Sequence, residues 1–91
     1  MNVKRWNVVF RALVNPNRLL IVKMLSDEGK MTVAEIAEKF EISVTATSNH
    51  LVLLKNLDVL NARGTEGHVL YWVNTDLPKD FKKAIDIALR S

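Results

Sequence analysis

The chain has 91 residues, 48% hydrophobic and 25% charged, with a formal net charge of +3, which bounds it to one soluble domain over residues 1–91 with a thin core that a partner subunit would help to cover. It has no cysteine, so disulfides, thiolate metal sites, thiol redox sensing and cysteine nucleophiles are excluded together. Apolar runs such as those at 19–22 and 51–54 are far too short to span a bilayer, and Met1 to Trp6 lacks the apolar stretch of a signal peptide, so a cytoplasmic protein with no membrane partner is expected.

Val3, Trp6, Phe10 and Leu13 recur at helical spacing and predict a first helix over 2–14. Asn15-Pro16 is a start signal, because asparagine can cap free amide groups and proline at the first helical position gives up no bond. A second helix then runs to about Ser26. Residues 1–26 hold five basic side chains and no acidic one, a balance that suits either a polyanion partner or a solvated face. Asp27 to Lys30 reads as a turn. Thr32-Val33-Ala34-Glu35 has capping-box spacing and opens a third helix whose inward stripe is Val33, Ile36, Ala37 and Phe40. Glu41-Ile42 is a short turn.

Ser43 is a good N-cap for a fourth helix reaching about Leu57, with Thr47, Leu51 and Leu54 on its core side. Asp58 follows, where a left-handed residue is often wanted. The runs 59–63 and 68–74 are β-rich, and Gly64 to Gly67 joins them as a tight turn. Asp76 caps a fifth helix, with Pro78 in its first turn and Leu77, Phe81, Ala84, Ile85, Ala88 and Leu89 at steps of three and four. The expected architecture is mainly α with a β-hairpin: a winged helix-turn-helix of five helices and a two-stranded wing.

This order of elements suits DNA, since an α-helix fits the major groove and its N-terminal residues reach base edges. On a helical wheel Thr45, Ser48, Asn49 and Val52 face away from the core side of the fourth helix. Thr45, Ser48 and Asn49 are candidate groove contacts, and asparagine can pair with adenine through two bonds. Ser43 and Ala46 complete the N-terminal set, where serine tolerates close approach to phosphate. Lys55 at the far end of the helix, and Arg63 and His68 on the wing, are candidate phosphate contacts. The bland alternative for all of them is a solvated face. His50 lies near the buried side and reads as a structural histidine or a phosphate contact. Trp6 and Phe10, with Phe81, Ile85 and Leu89, read as a subunit interface, or else pack within one chain.

The sequence resembles the ArsR family of winged-helix repressors over about Phe10 to Asn74. The resemblance is carried by Phe10-Arg11-Ala12-Leu13 with Asn15-Pro16-Asn17-Arg18, by Met31 to Ala37, by Ser43 to Leu51 with Leu54, and by Gly67 to Trp72. It implies a homodimer that binds double-stranded DNA at a near-palindromic operator and represses transcription. Many relatives bind metal through two cysteines at the start of the third helix, where this chain has Thr32 and Ala34. Others use histidines and acids of the last helix, where residues 75–91 hold no histidine and only Asp76, Asp80 and Asp86 as acids. A member without metal or other cofactor is therefore expected. The family's glycine after the recognition helix stands here as Asp58, and its basic residue after the His-Leu pair as Val52. No nucleophile–base pair or phosphate loop points to an enzyme. The competing expectation is a winged helix kept for protein–protein interaction, motivated by Val52 and by Glu66 at the wing tip.

Overall fold

The computed structural model describes residues 3–77 together with Lys82, Lys83, Ile87 and Arg90. Within them lie α1 (Val3–Leu13), α2 (Pro16–Glu28), β1 (Met31–Thr32), α3 (Val33–Phe40), α4 (Val44–Asn56), β2 (Leu60–Thr65) and β3 (His68–Val73). The described residues thus hold four helices and three strands, where five helices and a two-stranded wing were expected. The fifth helix falls largely outside the described residues, and Pro78, Phe81, Ala84, Ile85, Ala88 and Leu89 all lie there. Asp76, its expected cap, stands in a turn and donates its N–H to Asn74 Oδ1 at 3.0 Å.

The extra strand has a physical origin in the helix cap. An N-cap residue adopts extended backbone, and Thr32 has φ −80° and ψ 161°. The residue that starts α3 can therefore also pair with a strand. Met31 pairs with Tyr71 and Thr32 with Leu70, giving a sheet ordered β1-β3-β2 with antiparallel neighbours. The hairpin is tighter than the four-residue turn that was expected. Gly64 pairs with Val69 and Thr65 with His68, so only Glu66 and Gly67 form the loop. Gly67 takes φ 75° there, a value that glycine adopts without a Cβ clash.

The caps expected at Asn15 and Thr32 form. Asn15 Oδ1 accepts from the amides of Asn17 and Arg18 at 3.0 and 3.3 Å. Thr32 Oγ1 accepts from Glu35 N–H while Glu35 Oε1 accepts from Thr32 N–H, a reciprocal pair that holds the Glu35 carboxyl below its ordinary pKa. α2 runs on past Ser26 to Glu28, because Gly29 at φ 89° supplies the stop.

Two further stops decide where α4 lies. After α3, Glu41 N–H donates to Glu38 O at 3.3 Å and Ile42 N–H to Ala37 O at 3.2 Å. After α4, Asp58 N–H donates to Lys55 O at 2.9 Å and Val59 N–H to Leu54 O at 3.0 Å. Both are Schellman closures, and Glu41 (φ 54°) and Asp58 (φ 61°) occupy their left-handed positions. The second closure is clamped by its apolar pair, since Val59 and Leu54 are fully buried. The core joins all layers: Val9 and Leu13 of α1, Ile21 and Leu25 of α2, Ile36 of α3, Leu51 and Leu54 of α4, and Leu60 and Tyr71 of the sheet.

A residue with a Cβ in the left-handed region costs about 1–2 kcal/mol. Glu41 is exposed, so Glu41→Gly should raise unfolding stability by about 0.5–1 kcal/mol once glycine's extra unfolded-state entropy is subtracted. Urea unfolding monitored by circular dichroism checks this, and a lower midpoint would contradict it.

Candidate nucleic-acid interface

α4 is oriented by its polar start and its apolar side. Ser43 Oγ accepts from Ala46 N–H at 3.0 Å, and Thr47 Oγ1 donates to Ser43 O at 2.8 Å. Thr47 is thereby satisfied although fully buried, and it shares the core face with Leu51 and Leu54. The opposite face is left to solvent. Thr45 and Asn49 are exposed, Ser48 and Ala46 half-buried. Among the described residues, no side chain or backbone group bonds to the side chains of Thr45, Ser48 or Asn49. No acidic residue occupies the first turn, so the positive end of the helix dipole is not opposed there. Such a surface offers hydroxyl, amide and free backbone N–H donors to an anion or a base edge.

The wing candidates come together by pleating. Side chains alternate across a strand, and Arg63 is opposite Leu70 while Ala62 is opposite buried Tyr71. Arg63 and His68 therefore share the outer face of the hairpin, both exposed. Lys55 does not join the N-terminal set. It lies twelve residues after Ser43, the N-cap of α4, which is about 18 Å along the axis.

Two basic residues do work that the sequence did not disclose. Arg18 Nε donates to His50 Nδ1 at 3.1 Å, and its Nη1 donates to Ala12 O at 3.0 Å. One guanidinium thus ties the end of α1 and the start of α2 to the middle of α4. The bond needs the neutral imidazole, with Nδ1 as acceptor. Burial, and then the Arg18 charge, pull the His50 pKa below its ordinary value. His50 is thereby a structural residue. Arg5 donates to Asp58 Oδ2 at 3.1 Å and to Leu57 O at 3.4 Å. That exposed pair adds little energy but brings α1 to the end of α4. A guanidinium within a recognised motif is a weak signal for Arg18, and the Arg5–Asp58 separation along the chain left none.

Trp6 is half-buried against its own core, and its ring lies 6.0 Å from that of Phe10, tilted by 39°. Phe10 keeps 46% of its surface exposed. Val3 and Val14 are exposed too, which extends an apolar stripe along α1. The other expected interface residues, Phe81, Ile85 and Leu89, lie outside the described residues. Among the described residues, no group of three or more His, Asp or Glu side chains converges as a metal site would require.

The family model for bacterial regulatory proteins of the arsR family matches residues 15–62. The transcriptional repressor SdpR of Bacillus subtilis is 36% identical over 74 residues, covering 81% of this chain and 81% of that protein. Reduced HlyU of Vibrio cholerae superposes with a TM-score of 0.80 at 29% identity, over 98% of this chain and 90% of that one. The homodimeric winged helix-turn-helix DNA-binding domain Mb0332 of Mycobacterium bovis has a TM-score of 0.79 at 24% identity, over 96% of this chain and 77% of that one, and shows the likeness of fold alone.

The depressed His50 pKa has a signed consequence for stability. Between the folded value and the ordinary 6.5 the unfolded chain binds the proton and the folded chain does not. The contribution is full above pH 6.5 and is lost as pH falls towards the folded value. Unfolding midpoints in urea should therefore drop on going from about pH 8 to about pH 5.5, and His50→Gln should flatten that part of the profile. An identical profile in the variant would refute the assignment.

Proposed function

This chain belongs to the arsR family of bacterial regulatory proteins, and from that premise we propose that it is a sequence-specific DNA-binding transcriptional regulator, a homodimeric repressor without a metal-sensing site. The observation that carries the reading is the unoccupied polar face at the start of α4, where Thr45, Ser48 and Asn49 stand beside the helix N-terminus. In a two-fold dimer the two α4 helices would enter successive major grooves, about 34 Å apart, on a near-palindromic operator. Asn49 reads a base edge, Thr45, Ser48 and Ala46 lie against the groove floor, and Ser43 meets phosphate. Arg63 and His68 of the wing, and Lys55 at the far end of α4, take phosphates that fix the register. Binding in the cytoplasm occludes the promoter, and no bond is made or broken.

The metal-free reading rests on the chemistry of the two positions at which relatives carry cysteines. Thr32 Oγ1 is committed to the Glu35 amide at 3.2 Å, and Ala34 offers only a methyl group. The dimer reading rests on the apolar stripe of α1, joined in the proposal by Phe81, Ile85 and Leu89. A second reading, a protein-interaction module, is favoured by Val44 and Val52, which keep 58% and 44% of their surface exposed on α4. No helix among the described residues is long and apolar enough to cross a membrane.

Binding to duplexes from upstream of the coding region, followed over a salt series, separates the two readings. The DNA reading expects specific binding whose logarithm falls with log salt by about 0.9 per phosphate neutralised. No preference over random duplex, with stoichiometric capture of one protein instead, favours the second. Asn49→Ala should cost about 1–3 kcal/mol at the cognate base and relax preference there, whereas Arg63→Ala should weaken all duplexes alike. Phe10→Glu should shift the protein from dimer to monomer in sedimentation velocity, and an unchanged dimer would remove Phe10 from the interface.

A further inference from the structure

A cavity of about 450 Å³ opens between the C-terminal half of α2, the end of β3 and the segment that follows it. That volume lies in the range that houses small organic ligands, about 300–1,000 Å³. Its wall has two chemistries. Val22, Leu25 and Leu77, all buried, and the ring of Trp72 give it an apolar lining. Lys23, Lys30 and Lys82 also line it. No carboxylate lines it among the described residues. Lys23 is already paired with Asp27 at 3.1 Å. Lys30 Nζ instead sits 4.7 Å from the centroid of the Trp72 ring, and Lys82 Nζ donates to Thr75 O at 3.3 Å. Neither has a carboxylate partner among the described residues.

We propose that this cavity is a binding site for a small organic carboxylate with an apolar body, its carboxylate held between Lys30 and Lys82 and its body on Trp72, Val22 and Leu25. A neutral apolar molecule would leave both ammonium groups without a counter-charge. An inorganic anion would leave the apolar wall wet. A carboxylate with a hydrocarbon tail satisfies both, and charge-assisted bonds to ammonium groups are the stronger kind. The site stands apart from the face assigned to DNA, so it can be tested without any duplex. It is also physically continuous with the wing, because β3 carries Trp72 at one end and His68 at the other.

Isothermal titration calorimetry of the full chain with decanoate, decanol and decylammonium, each below its micelle concentration, tests the proposal. Decanoate should bind at least tenfold more tightly than either of the others and raise the melting temperature. The double variant Lys30→Gln/Lys82→Gln should lose that preference while keeping weak decanol binding. Absence of decanoate binding, equal affinity for the three probes, or an unchanged preference in the variant each overturns the proposal. If the double variant loses its cooperative melt, Ser26→Trp, which puts a plug at an exposed rim position, decides instead. Lost decanoate binding supports the site, and retained binding overturns it.

Discussion

Everything exposed at the start of α4 depends on two left-handed residues, Glu41 before it and Asp58 after it. Each reverses the chain within a single residue while two amides donate to orphan carbonyls of the helix just ended. The direction of α4 is therefore set by backbone geometry at its flanks, and its burial follows from that direction. With Thr47, Leu51 and Leu54 turned inward, the helical period leaves Thr45 and Asn49 outside. The chain accepts strained backbone at both positions although glycine would relieve it. The apolar clamp of Val59 on Leu54 at one closure indicates what offsets that strain.

A second tier of contacts keeps the helix from sliding. The core holds α4 by its apolar side, which is strong but not directional. Arg18 adds direction, because a planar guanidinium bonded to both His50 and the Ala12 carbonyl admits one arrangement of three elements. Arg5 adds a lighter tether at the other end of α4. The two arginines come from the basic N-terminal third of the chain. Part of the positive charge that suggested a polyanion partner is thus engaged in holding the fold together. Arg63 and Lys55 remain outside such pairing among the described residues.

Local chemistry was legible in the sequence wherever one residue type has one mechanical use. Asn15-Pro16, the Thr32–Glu35 box and the Ser43 cap were all readable because a side-chain oxygen three residues before an amide has a single local target. The outward placing of Thr45 and Asn49, with Ser48 half-buried beside them, follows from helical periodicity alone. What escaped was non-local. β1 spans only Met31 and Thr32, too short for any alternation to show, and it exists because β3 lies beside it. Gly64 and Gly67 bracket a stretch that reads as a four-residue turn because glycine has poor strand character, yet cross-strand pairing carries Gly64 and Thr65 into the ladder. The Arg18–His50 bond joins residues 32 apart, and no pattern in one chain announces such a meeting. The lysine-rimmed cavity is likewise assembled from three separate stretches.

The sheet is not uniform along its length. At Leu70 and Tyr71 the middle strand has a neighbour on either side, β1 and β2. From Val69 outward it has β2 alone. Its middle is therefore a three-ply plank joined to the start of α3, and its tip is a two-ply ribbon that owes its rigidity to few bonds. Beyond the plank the arm bends towards its free end. Arg63 is opposite Leu70, at the border between the stiff and the pliant parts, whereas His68 rides on the pliant part. The outermost side chains of the hairpin can thus shift with the surface they meet, while the plank preserves the angle at which the whole arm leaves the body.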